Sequence, residues 1–108
     1  MAYSIEVTSI FKKQAKRLVK KFPSLKNELQ ILIDDLAIKP EQGTSLGNHC
    51  YKIRIAISSK GKGKSGGARI ITHVQIINQK VFLLSIYDKS EQDNITDKEI
   101  SDMLKPIQ

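Results

Sequence analysis

Polar and apolar residues alternate over Ser4-Ile5-Glu6-Val7-Thr8, the period of a half-buried strand. The period then lengthens: Phe11, Ala15, Leu18, Val19 and Phe22 recur at helical spacing, with Lys12, Lys13, Lys16, Arg17, Lys20 and Lys21 on the opposite side. Thr8 or Ser9 is placed to cap this helix. Pro23-Ser24 interrupts the pattern, and Ser24 is placed to cap a second helix whose stripe is Leu25, Leu29, Leu32, Ile33 and Leu36. Pro40 ends it, and residues 41–49 show no clear period. Two amphipathic helices joined so tightly predict an antiparallel hairpin lying on a sheet.

The second half has the period of strands. Tyr51, Ile53, Ile55 and Ile57 alternate with Lys52, Arg54 and Ala56, giving one apolar and one basic face. After a glycine-rich loop come two strands, 68–77 and 81–87, separated by Asn78-Gln79-Lys80. They are apolar at nearly every position, as central strands covered on both faces are. Thr96 and Glu99 stand at capping-box spacing, so a short helix follows, docked by Ile100, Met103 and Leu104. The expected order is β-α-α-β-β-β-α: one α+β domain, residues 1–108, with a mainly antiparallel sheet and a helical hairpin packed on it.

Composition narrows the function classes. A chain of 108 residues with 40% hydrophobic residues can build a packed core. No apolar run approaches the roughly 18–20 residues that cross a bilayer, and MAYSIEVTS lacks the apolar region of a signal peptide. Membrane residence is therefore not expected. Cys50 is the one cysteine, which excludes an internal disulfide and a cysteine-based zinc site and fits a reduced, cytoplasmic setting. The net charge of +7 favours a polyanionic partner.

Much of that charge gathers around SSKGKGKSGGAR, residues 58–69. Its GKS looks like the end of a P-loop, but the leading glycine position is Ser58 and a strand follows where a helix is required. The nucleotide reading fails on motif and context. A mobile hairpin loop kept soluble by lysines is the plain alternative. Against it, Lys52, Arg54, Lys60, Lys62, Lys64 and Arg69 occur with no Asp or Glu among them. Lys52 and Arg54 leave the same face of one strand, and Arg69 opens the next. If those strands pair, three cations converge on one sheet face, where an anion such as a phosphate backbone relieves their repulsion. The alternative for Lys52 and Arg54 is ordinary solvent-facing strand residues. His73, in mid-strand, reads as a packed or hydrogen-bonded histidine, and no paired carboxylates stand at metal-ligand spacing on the basic face.

The stretches YKIRI (51–55), GKGKSGGARII (61–71) and LLSIYDKSEQD (83–93) resemble the RelE/ParE toxin superfamily, and GKGKSGGAR and YDKSEQDNIT are similar to its HigB-type branch. The resemblance implies the toxin of a bacterial type II toxin–antitoxin module, a ribosome-dependent endoribonuclease that cuts mRNA in the ribosomal A site. The ribose 2′-OH attacks the adjacent phosphodiester and leaves a 2′,3′-cyclic phosphate and a 5′-OH, with no metal or other cofactor. It implies a proton-transfer role for Lys52, a phosphate contact for Arg54, a clamp on the scissile phosphate for Arg69 and a position near the leaving oxygen for Lys89. Ile95 stands where RelE has a catalytic tyrosine, so Tyr87 or the loop lysines Lys60, Lys62 and Lys64 are the candidates to contact RNA instead. A lysine crowded by other cations has a lowered pKa and can exchange a proton near neutrality. The implied partners are the ribosome with its mRNA and an antitoxin, of HigA type with a helix-turn-helix. Asp88, Glu91, Asp93, Asp97, Glu99 and Asp102 either balance the basic face or form a docking surface. The alternative is a non-nucleolytic member of the superfamily, a ParE-like gyrase inhibitor or an inactive RNA binder.

Overall fold

The structure, a computed structural model, describes residues 2–61 and 63–107. Strand β1 (Ser4–Val7) leads into helices α1 (Ser9–Lys21) and α2 (Leu25–Ile38), then strands β2 (Thr44–Gly47), β3 (Cys50–Ile55), β4 (Ala68–Gln75) and β5 (Lys80–Asp88), and helix α3 (Asp97–Leu104). The α+β order is the expected one with one strand added. The spatial order is β1-β5-β4-β3-β2. β1 runs parallel to β5, and the other neighbours are antiparallel.

Each helix begins where local chemistry favours it. The Thr8 hydroxyl accepts from the Phe11 amide, and it also donates to the Leu83 carbonyl at 2.8 Å, fastening the start of α1 to β5. Thr96 and Glu99 form the reciprocal capping box read from their spacing. Ser24 stands at the N-cap of α2 but makes no cap bond. Its hydroxyl bonds instead with Glu28 at 3.1 Å, and it accepts from the Ser59 amide at 2.9 Å, so it ties the helix hairpin to the glycine-rich loop.

The helical stripes seal one face of the sheet. Leu18, Leu25 and Leu36 meet Ile53, Ile57, Ile70, Leu83 and Ile86 in one buried cluster. A second, smaller cluster on the other face joins Cys50, Ile71, Leu84, Tyr87 and Ile95 to Ile100 and Leu104 of α3. Burying side chains of this size contributes roughly 2 kcal/mol each.

Three departures from the sequence pattern have physical causes. β2 is a four-residue edge strand, TSLG, too short and too polar to show a period. β4 stops at Gln75, and Ile76 and Ile77 stand in the turn, with Ile77 98% exposed. β5 carries a bulge: the register passes from Ile71↔Ser85 to Thr72↔Leu83 and skips Leu84. The bulge lets Leu84 and Tyr87 face α3 while Leu83 and Ile86 face the hairpin. Gln14 of α1 completes it, its amide oxygen accepting from the Ile86 amide at 3.0 Å and the Ser85 hydroxyl at 3.2 Å.

A basic face at the open end of the sheet

β3 and β4 bring the predicted cations together. Arg54 is directly opposite Arg69, Lys52 is opposite Ile71, and Arg69 is in turn opposite Tyr87. Arg54, Arg69 and Tyr87 therefore form a row across three strands on the α3 side. Neighbouring strands are about 4.8 Å apart, so the row is roughly 10 Å wide. Like charges directly opposite each other destabilise a sheet, which makes the Arg54–Arg69 pair an expensive feature to keep.

Arg69 is only 4% exposed and lies beneath the loop that precedes it. Its guanidinium donates to the Lys64 carbonyl at 2.8 Å, to the Ala68 carbonyl at 3.2 Å and to the Ser65 carbonyl at 3.5 Å. The arginine thus fixes the loop as well as charging the face. Gly67 lets the end of the loop run against β3, because a Cβ there would lie 2.0 Å from the Ile55 carbonyl oxygen. Beyond β5, the Lys89 amide donates to the Gly67 carbonyl at 3.0 Å, so the following turn is joined to the same loop end.

The loop lysines are not equivalent. Lys60, a candidate RNA contact in the sequence, has its ammonium on the helix side of the sheet. There it bonds Asp88 and, at 2.7 Å, the Ser90 hydroxyl, and it lies 5.5 Å from the centre of the Phe22 ring. Asp88 is 1% exposed and alternates with Tyr87, so it faces away from the arginine row. Burial alone would raise its carboxyl, but the Lys60 ammonium and the Ser90 amide outweigh that and hold it below the ordinary value. Lys64 is exposed and shares with Arg54 an open groove of about 290 Å³ between β3 and α2, which Glu28 and Asp35 also line. Lys62 lies outside the described residues.

Lys89 pairs with Asp93 rather than with the adjacent acids. The Asp93 carboxyl is held below its ordinary value by the hydrogen bond from Lys89, then by that residue's charge, with Lys52 also contributing. Lys52, Lys89 and Asp93 thus form one electrostatic cluster beside the arginine row. The sequence marks Asp93 only as one of six acids that balance the basic face or form a docking surface; its pairing with Lys89, at i,i+4 spacing, is what the structure adds. Tyr87 is 5% exposed and packs among Cys50, Ile71, Leu84 and Ile95, so its ring is a wall behind Arg69 rather than a free stacking surface. Burial raises its phenol, Arg69 opposes that rise, and Asp93 and Glu99 add to it.

The two histidines sit at the far end of the sheet. His73 packs in β4 with Nδ1 3.6 Å from the Cys50 sulfur, and burial lowers its pKa. Burial pushes the Cys50 thiol up to about 11, so it is inert near neutrality. Among the described residues, no three His, Cys, Asp or Glu side chains are grouped to hold a metal, and no helix is long and apolar enough to cross a membrane.

A five-stranded sheet with a sealed helical face and a basic, partly covered opposite face defines a small RelE-type fold. Residues 8–106 match the family model described as the RelE toxin of the RelE / RelB toxin–antitoxin system, and the chain belongs to that family. Solved structures repeat the architecture. An E. coli RelE toxin mutant in the free state aligns over 100% of both chains with a TM-score of 0.66 at 19% identity. The RelBE2 toxin–antitoxin complex of Mycobacterium tuberculosis covers 82% of this chain and 99% of its own, with a TM-score of 0.57 and 12% identity. The intact E. coli RelBE complex covers 81% of this chain and 96% of its own, with a TM-score of 0.52 and 20% identity.

Proposed function

We propose that this chain is a toxin that cuts mRNA in the A site of the translating ribosome and is held inactive by a cognate antitoxin, of the HigA type with a helix-turn-helix. The observation that carries the reading is the Arg54–Arg69 register, flanked by Lys52 and Lys89. Two arginines opposite each other in the register offer donors for a phosphate whose charge grows during attack, Arg69 through the N–H groups that the Lys64, Ala68 and Ser65 carbonyls leave free.

In the reaction the 2′-oxygen of one nucleotide bonds to the adjacent phosphorus and the P–O5′ bond breaks. The products are a 2′,3′-cyclic phosphate and a 5′-OH. Lys52, acting in its unprotonated form, takes the 2′ proton, and Lys89, as an ammonium released from Asp93, supplies a proton to the departing 5′-oxygen. Arg54 and Arg69 bear the phosphorane charge; guanidinium stays protonated and suits that role rather than proton transfer. Lys64 contacts the RNA backbone beside Arg54, and Tyr87 backs Arg69.

The test is primer extension on cellular transcripts after induction, with and without translation. Arg69→Ala is expected to abolish translation-dependent cuts and growth inhibition, a loss of about 100-fold or more. Because Arg69 also anchors the loop, Lys52→Gln is run beside it with a thermal melt to check folding. Cuts at the wild-type rate in both folded variants would sink the reading. Supercoiling defects with intact mRNA would assign the chain to gyrase inhibition instead.

A further inference from the structure

α1 carries six cations and no acid in thirteen residues. Glu91 engages two of them, Arg17 at 2.9 Å and Lys21 at 3.7 Å. Lys12, Lys13, Lys16 and Lys20 remain exposed, and their ammonium groups have no ion pair or hydrogen bond among the described residues. Phe11 and Leu18 turn the apolar side of α1 into the cluster on the hairpin face, so the lysines project outward on the side of the molecule opposite the Arg54–Arg69 row.

We infer that Lys12, Lys13, Lys16 and Lys20 form a docking surface for the phosphate backbone of double-helical RNA, separate from the face that carries Arg54 and Arg69. The inference rests on the RNA-directed reading above and adds a second contact with a different segment of RNA. Three observations choose the occupant. Lys12 to Lys20 spans about 12 Å at 1.5 Å per residue, a length over which one strand of a duplex presents three to four phosphates. Phe11 is buried, and Phe22 lies under the ammonium groups of Lys21 and Lys60, so the surface offers no ring on which unpaired bases stack. The exposed side of the stripe is lysine, which protein–protein interfaces deplete, so an acidic protein is the poorer match. Across the end of β5, the turn that pairs Glu91 with Arg17 also pairs Asp93 with Lys89, and so links the stripe to the basic face.

The experiment measures binding of the full chain to a short RNA duplex over a salt series. In the variant with Lys12, Lys13, Lys16 and Lys20 all changed to Gln, the slope of log affinity against log salt is expected to be shallower by about 3.6, near 0.9 per lysine. A Lys39→Gln/Lys105→Gln variant, which removes two exposed cations outside both basic surfaces, is expected to keep the wild-type slope. Should the fourfold variant melt early, Lys12→Gln/Lys16→Gln replaces it, with an expected change of about 1.8. Wild-type duplex binding by the α1 variants overturns the proposal. So does loss of binding to polyglutamate with duplex binding unchanged, which would make the stripe a protein surface. Duplex binding is scored apart from cleavage, so a failure here leaves the Arg69 result standing, and the reverse also holds.

Discussion

On the side of the helical hairpin the sheet is sealed, with Leu18, Leu25 and Leu36 at 0% exposure against strand residues that are equally covered. On the side of α3 only part of the surface is covered by Ile95, Ile100 and Leu104; the remainder carries Lys52 and Arg54, with Arg69 beside them under the loop. One sheet thus has a face that supplies stability and a face that holds like charges close together. The contrast teaches where the cations belong. Lys60 is drawn to the sealed side by the buried Asp88, whereas on the open side Arg54 stands directly opposite Arg69 and Lys89 is held by Asp93.

The largest break in that contrast comes from the sealed face. Leu36→Ala removes a fully buried side chain and is expected to lower stability by about 3 kcal/mol in urea unfolding. Arg54→Ala, on the open face, is expected to stay within about 0.5 kcal/mol, because it removes a solvent-facing charge from opposite another. Equal losses from the two would mean that the arginine row is structural.

Lys60→Met keeps the aliphatic stem and leaves Asp88 buried without its cation, an expected loss of about 3 kcal/mol at neutral pH. The sign with pH follows from the depressed Asp88 carboxyl. Its folded value lies below the unfolded value of 3.8, so its stabilisation is complete above that value and is lost as pH falls through the folded one. The gap between wild type and Lys60→Met should therefore narrow in unfolding curves taken near pH 2. A gap that does not change with pH would move the effect from the ion pair to lost packing.

A smaller effect is expected where α1 closes the bulge. Gln14→Ala leaves the Ile86 amide without its acceptor inside the sheet, at a cost of about 1–2 kcal/mol. Hydrogen exchange at Ile86 is the direct readout, and unchanged protection would show that another group satisfies it.

Much of this arrangement was legible because it is periodic or local. The leucine stripe of α2, the alternation of β3 and the Thr96–Glu99 capping box each need only neighbours in sequence, and each appears where its spacing put it. The convergence of Lys52, Arg54 and Arg69 followed from alternation plus one assumed pairing, and the register supplies that pairing. What escaped depends on distant partners. Lys60 reads as one more loop lysine until Asp88, 28 residues away, is folded against it. The parallel β1–β5 ladder joins residues 76 apart, such as Ser4 and Lys80, and β2 forms as an edge because β3 offers it a partner. Ile76 and Ile77 misled in the other direction, since their apolar side chains extended a strand that the turn had already ended.

The smallest expected effect tests the boundary between the two kinds of surface. Tyr87 belongs to the covered part of the open face, yet it stands in register with Arg69. Its hydroxyl is buried with no hydrogen-bond partner among the described residues. Removing such a group relieves a desolvation cost, so Tyr87→Phe is expected to leave stability unchanged or raise it by up to about 1 kcal/mol. Translation-dependent cleavage is expected to persist, because the ring backs Arg69 and its shape is retained. Stability intact with cleavage down by about 100-fold would give the hydroxyl a part in proton transfer and shift the edge of the working face one strand further, onto β5.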